Sequence, residues 1–373
     1  MILKNSSFEE FADHIISSDK RIVIFGAGMI GLVTASDIFR QFGIADRLEY
    51  YIDNDMSKNG TKDPLYGKMI YSPEYLSKCD PYKNVLVISI SRYSDVIKQL
   101  KAIENIRSME CYILPMMCIS NFKPAANSEL YNESSSPLIP KVIHYMWLGR
   151  NKIPDTLQFC IDSWKKFCPD YQIIQWNEDN YDINKNLYMK QAYENKAYGF
   201  VPDYARLDIL YEYGGIYLDT DVELKKSLDD MLNQSAFCCV EKWQTINFGG
   251  GSGAVKGSQA VGKLLEARKP LTFVNPDGTL NRTTCGYYDT LTLMKYGYQL
   301  NNSTQKVLDM TVLPYEYFHP YDYMSGRTEL TDHTYGIHHF NGGWLDIHMK
   351  AANQKTSEEF EKIYAMAEKE AMI

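Results

Sequence analysis

Hydrophobic spacing changes period many times along the chain, and the changes mark out its elements. From Arg21 the text RIVIFGAGMIGLVTASDIFRQFG begins with a β-branched apolar run, passes through a glycine turn, and continues at helical spacing to Gly43. A second strand, LEYYIDND, ends near Asp53, and Ser72-Pro73-Glu74 reads as a helix start with a capping serine and an early proline. The apolar NVLVISI, a further helix and ECYIL follow. Strands alternating with helices predict a doubly wound parallel sheet.

Between Phe122 and Pro140 the apolar pattern lapses into KPAANSELYNESSSPLI, rich in serine, asparagine and proline. A new apolar strand, KVIHYMWLG, starts at Lys141, and TSEEFEKIYAMAEKEAM closes the chain as a charged amphipathic helix. The expected organisation is a domain over 1–122, a linker over 123–139, and a second α/β domain over 140–373 that includes the final helix.

Length and composition narrow the class. The 373 residues exceed one average domain, and 45% hydrophobic with 23% charged residues is ordinary globular usage. A net charge of -8 argues against a nucleic-acid partner, which needs a basic face. The eight cysteines lack CxxC or zinc-like spacing, and neither an apolar leader nor a run of membrane-spanning length appears. The expected setting is therefore cytoplasmic.

The front domain carries Gly26-Ala27-Gly28-Met29-Ile30-Gly31, a GxGxxG turn between strand and helix, with Asp53 at the end of the next strand. Gly26, Gly28 and Gly31 would let the backbone approach a pyrophosphate, and Asp53 would accept from a ribose hydroxyl. NAD(P) or another nucleotide is the implied cofactor. The other reading is that the turn only packs helix against sheet.

The chemistry concentrates in VPDYARLDILYEYGGIYLDTDVEL, Val201 to Leu224. Its first half is helical, Gly214-Gly215 breaks the helix, and a short strand follows. If that strand continues, Asp219 and Asp221 project to one face, two hard oxygen donors suited to Mn²⁺ or Mg²⁺ holding a diphosphate. Asp203 and Arg206 share a face of the preceding helix and can reach the same ligand. Each feature alone also has an ordinary structural reading: a solvated turn for the aspartates, and a surface ion pair for Asp203 and Arg206.

The whole string resembles the DxD sugar-binding region of glycosyltransferase family 32, a group with yeast mannosyltransferases and bacterial capsule enzymes, and also the glucosyltransferase domain of clostridial toxins. IPKVIHYMWLG resembles the family's opening strand, YQIIQWNEDN its second, and YGIHHFNGGW its closing motif. The front domain resembles Rossmann-like modules that precede sugar-modifying enzymes of bacterial surface polysaccharide pathways.

The resemblance implies a Rossmann-like domain followed by a GT-A type transferase domain. It implies a metal-dependent, retaining hexosyltransferase acting in surface polysaccharide synthesis. Its donor would be a nucleotide-diphosphate sugar and its acceptor a glycan or lipid-linked oligosaccharide, with peripheral contact at the inner membrane face.

By likeness, Asp219, Asp221 and Arg206 act on the leaving diphosphate, and His339 completes the metal shell. Trp147, otherwise read as a core tryptophan, stacks on the base. Asp203, Asn247 and Trp344 meet the donor. Two departures accompany these assignments: Thr284-Cys285-Gly286-Tyr287 stands where the family has Thr-Gly-Pro, and an unusual glycine run follows Asn247. The alternatives are a carbohydrate- or nucleotide-binding protein without turnover, and an NAD-dependent oxidoreductase or epimerase centred on the front domain.

Overall fold

The computed structural model describes residues 1–124, 130, 132–343 and 347–371, and the side chains of 347, 349 and 369–371 are not described. The chain forms two compact units. The first comprises Met1–Lys123, Tyr323–Gly326 and Ile347–Ile373; the second comprises Pro124–Asp322 and Arg327–Asp346.

In the first unit, β1 (Ile2–Lys4), α1 (Phe8–Ser17), β2 (Arg21–Phe25), α2 (Ser36–Gln41), β3 (Leu48–Ile52), β4 (Ile70–Tyr71), β5 (Asn84–Ile88), α3 (Tyr93–Lys101), β6 (Glu110–Ile113) and α4 (Leu114–Asn121) follow in chain order. All six strands pair in parallel, in the order β1-β6-β5-β2-β3-β4. The chain runs outward from β2 in both directions, the Rossmann-like arrangement expected from the alternating pattern. The helix expected from Ser72 is instead a 3₁₀ stretch, Pro73–Lys78.

One element differs in its domain. The C-terminal helix, Ile347–Ala371, belongs to the first unit and not to the second as expected. Phe360, Ile363 and Ala367, spaced three and four apart, join the core built around Val23, Leu86 and Ile88. Thr356 approaches Ser94 at 3.4 Å, Tyr364 hydroxyl bonds Ser120 at 2.9 Å, and Asn5 donates to Glu368 at 2.7 Å. An apolar stripe announces that a helix packs, but not on what.

The second unit continues with β7 (Val142–Met146), α5 (Asp155–Phe167), β8 (Gln172–Trp176), α6 (Leu187–Glu194), α7 (Pro202–Tyr213), β9 (Gly215–Tyr217), β10 (Val222–Leu224), β11 (Ala236–Val240), β12 (Ile246–Asn247), β13 (Ser252–Ala254), α8 (Gln259–Arg268), α9 (Cys285–Met294), β14 (Gln305–Val307), β15 (Met310–Leu313) and β16 (Gly336–His338). A mixed sheet orders them β14-β15-β11-β13-β9-β7-β8, with β12 beside β11, and β10 and β16 form a separate antiparallel ribbon.

Ile143, Trp164, Ile216, Leu218 and Phe237 centre its core. The later part of the expected linker belongs to this unit too. Glu133 and Leu138 N–H groups donate to Asn233 and Leu232 carbonyls, and Ile139 is buried.

Candidate functional site

The site grows from the turn after α7. Pro202 opens this helix at a position where its missing N–H costs nothing, and Gly214 ends it with φ 70°. Gly215 allows a close approach as well: a Cβ there would lie 2.9 Å from His144 Nε2. His144 is itself locked, with Nε2 on Gly214 O at 2.9 Å and Nδ1 accepting from Trp176 Nε1 at 3.2 Å. Burial pushes its pKa down to about 4.

Strand β9 ends at Tyr217, and Val222 N–H donates to Asp219 O at 3.1 Å, closing a turn. Asp219 and Asp221 therefore converge through a turn and not through the strand alternation expected from their spacing. Asp221 Oδ1 lies 3.2 Å from His338 Nε2, and Asn341 N–H donates to Oδ2 at 2.8 Å. Burial opposes ionisation of Asp221, but the His338 charge and these hydrogen bonds outweigh it and hold its pKa down at about 2.

Candidate ligand atoms of Asp219, Asp221 and His338 all lie within 4.8 Å of one another. Two carboxylates and an imidazole fit a divalent cation that accepts oxygen and nitrogen donors. His338 Nδ1 is buried with no hydrogen-bond partner among the described residues.

The histidine assignment needs correction. His339 Nε2 lies 3.1 Å from Glu223, and His338 is the residue grouped with the aspartates. Adjacent residues of a strand face opposite ways, so choosing the neighbouring histidine reverses the direction of the side chain. Tyr335, Gly336, Ile337 and His338 are all buried, so no polar alternation marks which face is which.

Asp203 and Arg206 are 6% and 4% exposed, which removes the surface ion-pair reading. Arg206 Nη2 lies 3.3 Å from Asp203 and 3.5 Å from Asp219, its Nε donates to Pro202 O at 3.0 Å, and its guanidinium lies 5.5 Å from the Tyr217 ring centroid. Burial raises Asp203 to a pKa of about 6, against the pull of Arg206 and Arg268.

Asn247 has a different part from the sugar contact expected of it. Its amide donates to Glu241 at 2.6 Å, and its carbonyl accepts the Gly249 and Gly250 N–H groups at 2.9 and 3.0 Å. That grip shapes the glycine run, whose lack of side chains is required. A Cβ on Gly249 would stand 2.0 Å from Asp219 Oδ2, and one on Gly250 would stand 2.0 Å from His319 Nε2. Glu241, Gly249, Gly250 and His319 are residues the sequence reasoning missed, although the glycine run itself was the signal.

Trp147 is half-buried just after β7, with its indole N–H on Asn151 O at 2.7 Å. Trp344 lies outside the described residues.

The glycine turn of the first unit is turned inward. Asp53 Oδ2 accepts from Ala27 N–H at 2.8 Å and from Lys58 at 3.0 Å, and Oδ1 accepts from Asp55 N–H at 2.9 Å. The carboxylate expected to meet a ribose is thus engaged by its own chain. A Cβ on Gly31 would fall 1.9 Å from Gly26 O, so close packing alone accounts for that glycine. Space beside Gly28 is open.

Comparison with known proteins follows the same residues. Residues 154–238 match the family described as "Glycosyltransferase sugar-binding region containing DXD motif". Inositol phosphoceramide mannosyltransferase 3 of Schizosaccharomyces pombe is 34% identical over 119 residues, covering 30% of this chain and 32% of that protein. An uncharacterized glycosyltransferase of Acanthamoeba polyphaga mimivirus is 28% identical over 193 residues, 49% of this chain and 74% of that one. The chain spans about a third of the length of the mannosyltransferases it matches. The solved PaToxG Glycosyltransferase overlays 55% of this chain and 77% of its own with a TM-score of 0.33 and 17% identity.

Proposed function

We propose that the second unit, in which residues 154–238 match the family described as a glycosyltransferase sugar-binding region containing a DXD motif, is a GT-A type, retaining glycosyltransferase domain. It takes a nucleotide-diphosphate sugar as donor. The observation that carries this reading is the convergence of Asp219, Asp221 and His338 beside the buried Asp203–Arg206 pair.

Asp219, Asp221 and His338 would hold Mn²⁺ or Mg²⁺, which supplies Lewis-acid stabilisation of the leaving diphosphate when bound. The chain's own residues do the remaining work. Arg206, held between Asp203 and Asp219, keeps a permanent positive charge beside the diphosphate subsite. The Asn341 N–H, donating to Asp221 Oδ2 at 2.8 Å, holds that carboxylate in place and favours its ionised form. Asp203 takes sugar hydroxyls as charge-assisted acceptor, and the Trp147 ring takes the nucleobase. Asn247 acts at one remove, by fixing the loop against which Asp219 rests.

Retention has the acceptor hydroxyl arrive on the leaving-group side, with a donor phosphate oxygen taking its proton. The acceptor is a glycan or lipid-linked hydroxyl, reached at the cytoplasmic face of a membrane, in surface polysaccharide synthesis or on a glycolipid. The contact with the membrane is peripheral in this reading; no helix among the described residues is long and apolar enough to cross a membrane. The named mannosyltransferase relatives make nucleotide-linked mannose the first donor to try.

The test is incubation of the full chain with a panel of nucleotide sugars and Mn²⁺, following release of nucleoside diphosphate. At least one donor is expected to be cleaved, and cleavage is expected to stop with chelator and in Asp221→Ala. Binding without release would make the chain a nucleotide-sugar binding protein. Neither binding nor release with any donor would refute the reading.

A further inference from the structure

Behind the Asp203–Arg206 pair lies a second buried ion pair that no step above uses. Arg268, at the end of α8, donates from Nη2 at 2.8 Å and from Nε at 3.1 Å to Asp289 Oδ1 on α9. Both residues are 2% exposed. The same Nη2 donates to Cys285 O at 3.0 Å, on the first residue of α9, and Cys285 Sγ lies 4.0 Å from Arg206 Nη1.

Arg268 also acts electrostatically on Asp203. Taken in order, Asp289, Arg268, Asp203, Arg206 and Asp219 alternate in sign from the interior to the metal-ligand turn.

A buried ion pair is a poor device for stability alone, since a well-packed apolar pair of similar volume is often as stable or more so. Its orientation is what such a pair fixes. Here it ties α8 to the start of α9 and sets Cys285 against the guanidinium that bridges the two site carboxylates. We propose that Arg268 and Asp289 are positioning residues of the donor site, holding Asp203 and Arg206 at the spacing the transferred sugar meets. This rests on the donor reading above, and it adds which residues set the sugar end of that site.

The experiment uses the full chain with Arg268→Lys, Asp289→Asn and the apolar double variant Arg268→Met/Asp289→Leu. Three quantities are measured: melting temperature, affinity for the nucleoside diphosphate with Mn²⁺, and kcat and KM for the nucleotide sugar that the unaltered chain cleaves best. For the double variant, the proposal expects a melting temperature within about 5 °C of the unaltered chain. Nucleoside diphosphate affinity should change far less than kcat, which should fall roughly 100-fold, the cost of about 1 Å of misplacement. Arg268→Lys, which keeps charge but loses the fork, should fall between.

A double variant that folds and turns over normally would overturn the proposal. Should it not fold, unaltered kcat in both single variants would do the same. If the unaltered chain cleaves no donor, the functional reading is what has failed. The pair is then judged by whether Asp289→Asn narrows the affinity gap between nucleotide sugar and nucleoside diphosphate, and an unchanged gap overturns it.

Discussion

Gly249→Ala puts the donor-site geometry under direct strain. The backbone at Gly249 lies outside the left-handed region, so the substitution acts through space alone. The new methyl carbon would stand 2.0 Å from Asp219 Oδ2 and 2.8 Å from Arg206 Nη1, where ordinary contact begins at 3.4 Å. Asp219 cannot retreat freely, because its N–H is bonded to Gly249 O at 2.8 Å and its carboxylate lies 3.5 Å from Arg206.

Relieving the overlap requires a carboxylate shift of about 1.4 Å. Misplacement on the order of 1 Å costs roughly 100-fold in rate, or about 2.7 kcal/mol of transition-state stabilisation. Overpacking should cost about 1–3 kcal/mol of stability besides. The assay is nucleoside diphosphate release at saturating Mn²⁺, with melting temperature measured in parallel. The expected outcome is a folded protein of slightly lowered melting temperature and strongly reduced kcat/KM. Normal kcat/KM would show that Asp219 is free to move without consequence, and would refute the assignment.

The two adjacent histidines separate cleanly: His338→Ala should abolish Mn²⁺-dependent turnover, while His339→Ala, which loses only the contact to Glu223, should retain most of it, both read by steady-state kinetics. Asn247→Ala removes the acceptor of two buried N–H groups and should cost about 2–3 kcal/mol in denaturant unfolding, together with activity. His144 makes stability fall with acid. It is held neutral in the fold down to about pH 4 but protonates near 6.5 when unfolded, so its contribution is present above that value and is lost as pH drops from 6.5 towards 4. The loss is about 3 kcal/mol, and His144→Gln should flatten the pH dependence over that window.

Much of this architecture is written locally, and the misassignments are informative. The parallel order of the first unit follows from alternating strand and helix signals, and paired carboxylates follow from Asp219 and Asp221. The device that pairs them does not, because a turn closed by Val222 N–H and an extended strand look alike over five residues.

Which histidine faces Asp221 depends on strand parity, and parity is legible only where one face is polar; β16 is buried on both. The unusual glycines after Asn247 make sense only once Asp219, His319 and Phe318 are seen packed against them. Arg268 and Asp289 lie 21 positions apart, with no pattern to connect them. The C-terminal helix shows its apolar stripe, but the partner is set by shape.

The central claim is that Asp219, Asp221 and His338 grip one divalent cation together with a nucleoside diphosphate. Titration of Mn²⁺ by electron paramagnetic resonance, with nucleoside diphosphate present, tests it most directly. The unaltered chain should take up one Mn²⁺, and Asp221→Asn should lose that site while its melting temperature stays close to that of the unaltered protein. Equally tight binding of one Mn²⁺ by Asp221→Asn would contradict the account.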